Sequence, residues 1–319
     1  MKILSPKKLR KGDRIAIVAP AALFNSDELL QGMDVMKQMG LKPILGPSAK
    51  ILSSTGVYDA PLEDRVKELM WAFESPEIEG VFCVIGGFGS AELLPHLDYT
   101  KIRASRKTFV GKSDITALNS GILKNAGLIN FNGKTAAIRR HEGGYLMDGD
   151  IESLEMTLDL LMSDGPWGTK PLAGNQFIPR TIHPGRASGM AIGGNLETLT
   201  CLLGTPYFPD VAGAILFIED VHKSGTSVAR KLLHLKMAGV FDKVAAVVVG
   251  EFADIPAESN MGIRGGLSIS DALQEFLKDV PSVFGYSFSH GNMIMPIPIG
   301  SMVHVDTSTG EIFFDFQMD

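Results

Sequence analysis

Cysteine and clustered charge are scarce in this 319-residue chain, and each scarcity excludes a class of protein. The two cysteines, Cys83 and Cys201, have no second cysteine at two-residue spacing, which excludes a disulfide framework and a zinc ribbon. The 30 basic and 36 acidic residues give a net charge of −6 without a basic run, which disfavours nucleic-acid binding. The histidines show no HExxH or paired spacing that would indicate a metal site, and we expect no cofactor.

Long apolar runs are also missing. Stretches such as residues 245–249 have the length of a strand, far below the ~18 residues that cross a bilayer, so we expect no membrane insertion. The N-terminal sequence MKILSPKKLRKGDR is basic but lacks the apolar core of a secretory signal. These two features predict a cytoplasmic protein. The length predicts two domains at about 150 residues each.

Short β-branched segments alternate with helix-patterned segments, as in parallel strands joined by crossover helices. We predict an α/β fold with an N-terminal, Rossmann-like parallel-sheet domain over residues 1–165 and a C-terminal α/β domain with a mixed sheet over residues 186–319. A Gly/Pro-rich passage over residues 166–185 is predicted to be a connecting loop. The last strands, residues 302–306 and 311–316, are predicted to form a hairpin.

Ser113 is a candidate nucleophile because it stands at a predicted strand-to-helix junction, in the segment Phe109-Val-Gly-Lys-Ser-Asp-Ile-Thr. A tight turn there exposes the serine above the sheet and directs the first N–H groups of the next helix at its target. The segment matches only the first part of G-x-S-x-G. The alternative interpretation is that Ser113 or Asp114 merely caps the helix.

A glycine cluster, Gly86-Gly87-Phe88-Gly89-Ser90, follows another predicted strand. Glycines at a strand end permit the close backbone approach that an oxyanion hole or a phosphate cradle needs. The cluster fails the dinucleotide-binding pattern because a third glycine is missing. A plain tight turn is the alternative.

Two further segments carry candidate acid–base groups. Glu219 and Asp220 end the predicted strand AILFI, where an α/β fold places functional groups. His290 lies in a loop after a predicted strand, in the sequence Phe288-Ser-His-Gly-Asn. Surface solvation is the alternative for each, and His222 is a rival base because it lies so close to Glu219.

Taken in order, five segments resemble the LD-carboxypeptidases and their relatives, the microcin C immunity proteins. The segments are IGGFGSAELLPHLDY (85–99), GKSDITALNS (111–120), IGGNLETLTCLLGTPYFPD (192–210), LFIED (216–220) and SHGN (289–292). The resemblance implies a serine, glutamate and histidine triad at Ser113, Glu219 and His290, between the two domains. It also implies an oxyanion hole formed by the backbone N–H groups of Gly87 and Asp114, and a homodimer.

The resemblance implies an acyl-enzyme mechanism acting on a small substrate. That substrate is either a muropeptide-like peptide or a microcin C-like aminoacyl or peptidyl nucleotide. Ile85 replaces an arginine of many muropeptide-cleaving members, and Lys112 replaces an aromatic residue. Conversely, residues 168–193 lack the tryptophans usual in the immunity branch, so both substrate classes stay open.

Four residues are expected to contact the substrate: Gly86, Phe88, Asn195 and Arg180. Arg180 belongs to the predicted loop, whose polar residues Asn175, Gln176 and His183 could also contact a substrate carboxylate or phosphate. A different class of function is a non-catalytic protein in which the glycine segments bind a nucleotide or phosphate.

Overall fold

The computed structural model describes residues 1–21, 26–47, 49, 60–139, 148–163, 167–169, 179–253, 267–288, 290, 291 and 293–319. The chain divides into two compact units. The first comprises residues 1–165, 292–300 and 317–319, and the second comprises residues 166–291 and 301–316. Residues 292–300 therefore belong to the first unit, although the sequence analysis placed them in the C-terminal domain.

Within the described residues, the first unit contains six strands. They are β1 (Arg14–Val18), β2 (Lys42–Leu45), β3 (Gly80–Cys83), β4 (Thr108–Gly111), β5 (Asn130–Asn132) and β12 (Ile297–Ile299). They form one sheet with the order β12-β5-β4-β3-β1-β2. Strands β1 to β5 are parallel, and only β12 is antiparallel to its neighbour. This confirms the predicted α/β fold with a parallel N-terminal sheet.

Amphipathic helices cover the sheet of the first unit. Their bounds, in chain order α1 to α5, are Ser26–Gln38, Leu62–Glu74, Tyr99–Ser105, Thr116–Ala126 and Asp148–Met162. Helix α2 buries Leu69 and Phe73 at helical spacing, and the Phe73 ring lies 5.8 Å from that of Phe109 on β4. Two short 3₁₀ helices, Ser90–His96 and Ser113–Ile115, follow β3 and β4.

Eight strands are described in the second unit. They are β6 (Trp167–Thr169), β7 (Arg180–His183), β8 (Arg186–Asn195), β9 (Ile215–Val221), β10 (Ala246–Ala253), β11 (Ser282–Tyr286), β13 (Met302–Asp306) and β14 (Glu311–Asp315). They form a mixed sheet with the order β6-β14-β13-β8-β9-β10-β11-β7. Strands β8 to β11 are parallel to one another, whereas the outer strands pair antiparallel. The predicted hairpin is confirmed as β13 paired with β14.

Three helices accompany this sheet among the described residues. They are α6 (Leu196–Cys201), α7 (Gly225–Met237) and α8 (Ile269–Leu277). Helix α7 buries Val228, Leu232 and Leu235, and α8 begins with a capping box between Ser268 and Asp271. No described helix is long and apolar enough to cross a membrane.

The passage predicted as a continuous loop over residues 166–185 contains two described strands, β6 and β7. Both belong to the sheet of the second unit, where β6 pairs with β14 and β7 pairs with β11. The sequence pattern missed them because each is only three or four residues long and lies at a sheet edge.

Candidate active site

Ser113 lies at a strained turn directly after β4. Its φ of 65° is in the left-handed region, which costs free energy for a residue with a side chain. Gly111 lets the chain turn so tightly, because a methyl group in its place would lie 2.2 Å from Cγ2 of Ile115. The turn places Ser113 at the start of the 3₁₀ helix that follows β4, so the residue does lie at a strand-to-helix junction.

The structure does not support the alternative in which Ser113 or Asp114 caps the following helix. The N-cap residues are Lys112 for the 3₁₀ helix and Ile115 for α4, and neither makes a side-chain capping hydrogen bond. The Asp114 carboxylate is instead bonded to the glycine cluster that follows β3.

That glycine cluster lies against the serine turn. A methyl group on Gly86 would lie 2.6 Å from Cβ of Ser113 and 3.0 Å from its Oγ, so only glycine allows this approach. Gly87 and Gly89 have φ values of 116° and 103°, which favour glycine. Between them, Phe88 is 67% exposed. The glycine cluster therefore lies directly beside Ser113.

Two buried contacts join the cluster to the residue after Ser113. The Ser90 backbone N–H donates to Oδ2 of Asp114 at 2.8 Å, and the Ser90 hydroxyl donates to the Asp114 carbonyl at 2.6 Å. Arg65 of α2 donates through Nη1 to the Gly89 carbonyl at 3.1 Å and forms an ion pair with Glu92 at 2.5 Å. The segments bearing Gly87 and Asp114 are thus held in a fixed relation.

Ser90 and Arg65 were missed by the sequence analysis. Ser90 ends the glycine cluster, and its spacing from Asp114 carries no local signal because the two residues follow different strands. Arg65 lies on a helix where an arginine is expected at the surface, yet it is buried.

In the second unit, four neighbouring parallel strands bring polar side chains to one edge of the sheet. Asn195 ends β8, Glu219 lies near the end of β9, Glu251 lies near the end of β10, and His290 follows β11. Asn195 and Glu219 are partners in the register of β8 and β9. The carboxyl ends of parallel strands are where α/β folds place functional groups.

Glu219 and His290 form a direct pair in this cluster. Nδ1 of His290 lies 2.7 Å from Oε2 of Glu219, whose side chain is fully buried. Because Nδ1 is occupied by the carboxylate, Nε2 is the ring nitrogen that would exchange a proton with a reacting group. The structure therefore brings together two of the three residues predicted for the triad.

Asn195 holds the carboxylates of the cluster. Its Nδ2 donates to Oε1 of Glu219 at 3.3 Å and to Oδ1 of Asp220 at 3.1 Å. Its Oδ1 accepts from the backbone N–H of Thr198, which caps α6. The side chain predicted to contact substrate is thus bonded to the protein at both ends.

Asp220 is buried beside Glu219 and has a perturbed pKa. Burial, with a smaller effect of the adjacent Glu219 charge, raises its pKa to about 6, against the opposing effect of the hydrogen bond from the Val221 backbone. Its Oδ2 makes no hydrogen bond among the described residues. Its Oδ1 accepts from Asn195 at 3.1 Å and from the Val221 backbone N–H at 2.9 Å.

The other sequence candidates lie elsewhere in the described structure. Arg180, predicted to be in a loop, is exposed on edge strand β7, opposite Phe284 of β11. Strand β7 lies three places from β9, roughly 14 Å at ordinary strand spacing. His183 lies on the same strand, and His222 is exposed with a φ of 55°. Asn175, Gln176, Ser289 and Asn292 lie outside the described residues.

The described residues contain no group of three or more histidine, cysteine, aspartate or glutamate side chains that could hold a metal ion. What they contain is a serine at a strained strand-to-helix turn in one α/β unit and a glutamate–histidine pair in the other. These features are the parts of a serine hydrolase.

Comparisons with known proteins agree with that class. The model of the LD-carboxypeptidase N-terminal domain matches residues 15–133, and that of the LD-carboxypeptidase C-terminal domain matches residues 188–305. The chain belongs to the LD-carboxypeptidase family of serine peptidases. The family resemblance predicted from the five segments is confirmed.

Some relatives are named as murein peptide carboxypeptidases, and another is named as a microcin self-immunity protein. The chain is 29% identical to the "Probable murein peptide carboxypeptidase" of Bacillus subtilis, over 95% of this chain and 92% of the relative. It is 30% identical to the "Microcin C7 self-immunity protein MccF" of Escherichia coli, over 93% and 92%. A solved structure of MccF with aspartyl sulfamoyl adenosine matches with a TM-score of 0.84 and 27% identity, covering 99% of this chain and all of that one.

Proposed function

We propose that this protein is a serine carboxypeptidase-type amide hydrolase in which Ser113 is the nucleophile, His290 the general base and Glu219 the residue that orients His290. The observation that carries the proposal is the Glu219–His290 pair at 2.7 Å. Family membership and the left-handed turn at Ser113 support it.

The proposed reaction begins with attack of Ser113 Oγ on the carbonyl carbon of the scissile amide while Nε2 of His290 takes the serine proton. The negative charge that develops on the carbonyl oxygen is stabilised by the N–H groups of Gly87 and Asp114, which the Ser90 contacts fix. The C–N bond then breaks as His290 gives the proton to the leaving amine. Water attacks the resulting ester with His290 again as base, which releases the acid and restores Ser113.

The proposed substrate is small and carries the scissile amide near one end. Relatives named for murein peptides suggest a peptide with a free carboxyl end, and the MccF complex suggests an aminoacyl nucleotide. Exposed Phe88, in the cluster beside Ser113, is proposed to contact either substrate, together with Gly86. Contacts of Asn195 and Arg180 with substrate stay predictions.

The test is to incubate the purified protein with a murein tetrapeptide and, separately, with aspartyl sulfamoyl adenosine, and to identify products by mass spectrometry. We expect release of the terminal residue from the first or of aspartate from the second. Ser113→Ala should lower the rate by about 10⁴-fold or more, since that is the usual cost of losing a triad nucleophile. Ser105→Ala, a partly buried serine bonded to the Ile102 carbonyl, is the control and should retain full activity.

Hydrolysis of neither compound, combined with tight binding of a nucleotide, would support the alternative of a non-catalytic nucleotide-binding protein. A rate in Ser113→Ala above about a tenth of the wild-type rate would contradict Ser113 as nucleophile.

A cytoplasmic location and a homodimer are further proposals that rest on the N-terminal sequence pattern and on the family resemblance. Cell fractionation tests the first, and light scattering during gel filtration tests the second. A measured molar mass equal to that of one chain at all protein concentrations would contradict the dimer.

A further inference from the structure

Strand β10 is irregular where it passes the Glu219–His290 pair. Its register against β9 shifts between Val249 and Phe252, and its register against β11 shifts between Val249 and Gly250. An irregularity of this kind redirects side chains from the sheet. The residues at this point are Gly250 and Glu251.

Gly250 packs closely against both Glu219 and Phe288. A methyl group in its place would lie 3.1 Å from Cβ of Glu219 and 3.1 Å from Cζ of Phe288. Phe288 begins the segment that leads to His290, so Gly250 of β10 lies close both to Glu219 and to the start of this segment.

The Glu251 side chain contacts both ends of the segment that carries His290. The Ser287 hydroxyl donates to Oε1 of Glu251 at 3.3 Å. Oε2 lies so close to Gly291 that a methyl group there would be 2.0 Å away, and the three atoms nearest to that methyl group all belong to Glu251. One carboxyl group therefore touches the residues on either side of Phe288 and His290.

This position is costly for a carboxyl group. Glu251 is 9% exposed, and burial raises its pKa, against the smaller effect of the Ser287 hydroxyl. None of the hydrogen bonds and ion pairs found among the described residues joins Glu251 to a basic side chain. A buried carboxyl group without a cationic partner lowers folding stability. A gain in folding stability therefore does not explain the position of Glu251.

We propose that Glu251 is a positioning residue for His290: by holding Ser287 and Gly291, it keeps the imidazole within hydrogen-bonding distance of Glu219. The proposal rests on the proposed function, in which His290 is the base. It predicts that Glu251 affects the rate of the chemical step rather than substrate binding.

The first experiment needs no substrate. The proton on Nδ1 of His290, shared with Glu219, should give a low-field signal in the ¹H NMR spectrum, assigned by its loss in His290→Gln. We expect the signal to persist in Glu251→Gln, which keeps the size of the side chain and an acceptor for Ser287, and to broaden or vanish in Glu251→Ala. An unchanged signal in a folded Glu251→Ala protein would overturn the proposal.

The second experiment uses the close contact with Gly291. Gly291 does not have a positive φ, so Gly291→Ala is harmful only through its clash with Glu251. We expect kcat to fall about tenfold in Gly291→Ala and in Glu251→Ala, with KM nearly unchanged. In the double variant the clash is gone, so kcat should equal that of Glu251→Ala within about twofold.

Gly185→Ala is the matched control, because its methyl group would lie 2.9 Å from Cγ of Pro281 and does not approach Glu251. The fold-decrease in kcat caused by Gly185→Ala should multiply with the fold-decrease caused by Glu251→Ala when the two substitutions are combined. Multiplicative effects for Gly291→Ala as well would overturn the proposal. Should Glu251→Ala fail to fold, Glu251→Ser replaces it in both experiments.

The two proposals fail differently. Loss of the low-field signal in Glu251→Ala together with full activity in Ser113→Ala would remove the proposed function but keep the positioning of His290. An inactive Ser113→Ala protein together with an intact signal in Glu251→Ala would keep the proposed function but remove the positioning role of Glu251.

Discussion

At the scale of single residues, backbone strain distinguishes Ser113 from an ordinary turn serine. A left-handed φ in a residue with a side chain persists only where the surroundings impose it, and here Gly111, Gly86 and the Ser90 contacts to Asp114 do so. The sequence could predict Ser113 because glycine, serine and the strand end are local signals. It could not predict Ser90, Arg65 or Glu251, whose partners lie far away in sequence.

Substitutions of the two adjacent acidic residues of β9 should reduce catalytic activity to very different extents. Glu219 accepts from His290 at 2.7 Å, whereas Asp220 is bonded to Asn195 and to the Val221 backbone. We therefore expect Glu219→Gln to lower kcat severely, on the order of 10² to 10⁴-fold, and Asp220→Asn much less. Steady-state kinetics on the substrate identified above checks this, and the reverse order would move the orienting role to Asp220.

Asp220 should also reduce stability as pH rises. Its pKa of about 6 in the folded protein exceeds the ordinary value of 3.8, so the folded state binds the extra proton. Asp220 therefore disfavours folding increasingly as pH rises from about 4 through about 6, and the penalty is constant once pH is well above the folded pKa. Asp220→Asn removes this penalty. Its free energy of unfolding relative to wild type should increase by about 1 to 1.5 kcal/mol between pH 5 and pH 8, measured by urea unfolding. A pH-independent difference would contradict a raised pKa.

At the scale of elements, strand ends carry the site. The strands β1, β2 and β4 follow the local sequence, because their β-branched and apolar residues are flanked by clear breaks. Strand β8 was not predicted: its sequence, RASGMAIGGN, is rich in small residues with low strand propensity, and pairing on both sides stabilises it. Tertiary pairing, rather than local preference, thus places Asn195 opposite Glu219.

The glycine cluster after β3 should tolerate no side chain at Gly86. In Gly86→Ala the new methyl group would lie 2.6 Å from Ser113 Cβ and 2.9 Å from the Lys112 carbonyl, so the turn must shift. We expect activity to fall at least about 100-fold, since small displacements at a reacting group cost this much. Gly80→Ala, at the other end of the same strand, meets only the flexible ends of Ile15 and Leu9 and should keep its activity. Equal losses in both variants would point to a general folding defect.

At the scale of the whole molecule, the sequence pattern could not predict that the chain returns from the second unit to the first. Two α/β units and the α/β class follow from alternation of strands and helices, but residues 292–300 return to the first unit, where β12 pairs with β5. The sequence IPI, with a central proline, gives no strong strand signal, and its partner lies more than a hundred residues earlier. The pairing of β12 with β5, rather than the local sequence, determines that these residues belong to the first unit.

A buried ion cluster stabilises the first unit. Asp150 of α5 is fully buried and pairs with Lys134 at 2.9 Å and with Arg139 at 2.8 Å. Removing the aspartate leaves the Lys134 ammonium buried without its carboxylate, so Asp150→Ala should lower the free energy of unfolding by about 3 to 5 kcal/mol. Glu74→Ala, which breaks the exposed ion pair with Lys101, is the control and should cost less than about 1 kcal/mol. Urea unfolding at pH 7 measures both.

The same cluster should make the protein sensitive to acid. Burial alone would raise the pKa of Asp150, but the hydrogen bonds from Arg139 and the charge of Lys134 outweigh it and bring the pKa to about 2. Because this value lies below the ordinary 3.8, the stabilisation is complete above about pH 4 and is lost as pH falls from there towards 2. Asp150→Asn cannot titrate, so its unfolding free energy should fall less steeply over this interval than that of the wild type. Parallel acid-unfolding curves for the two proteins would show that another carboxylate controls acid stability.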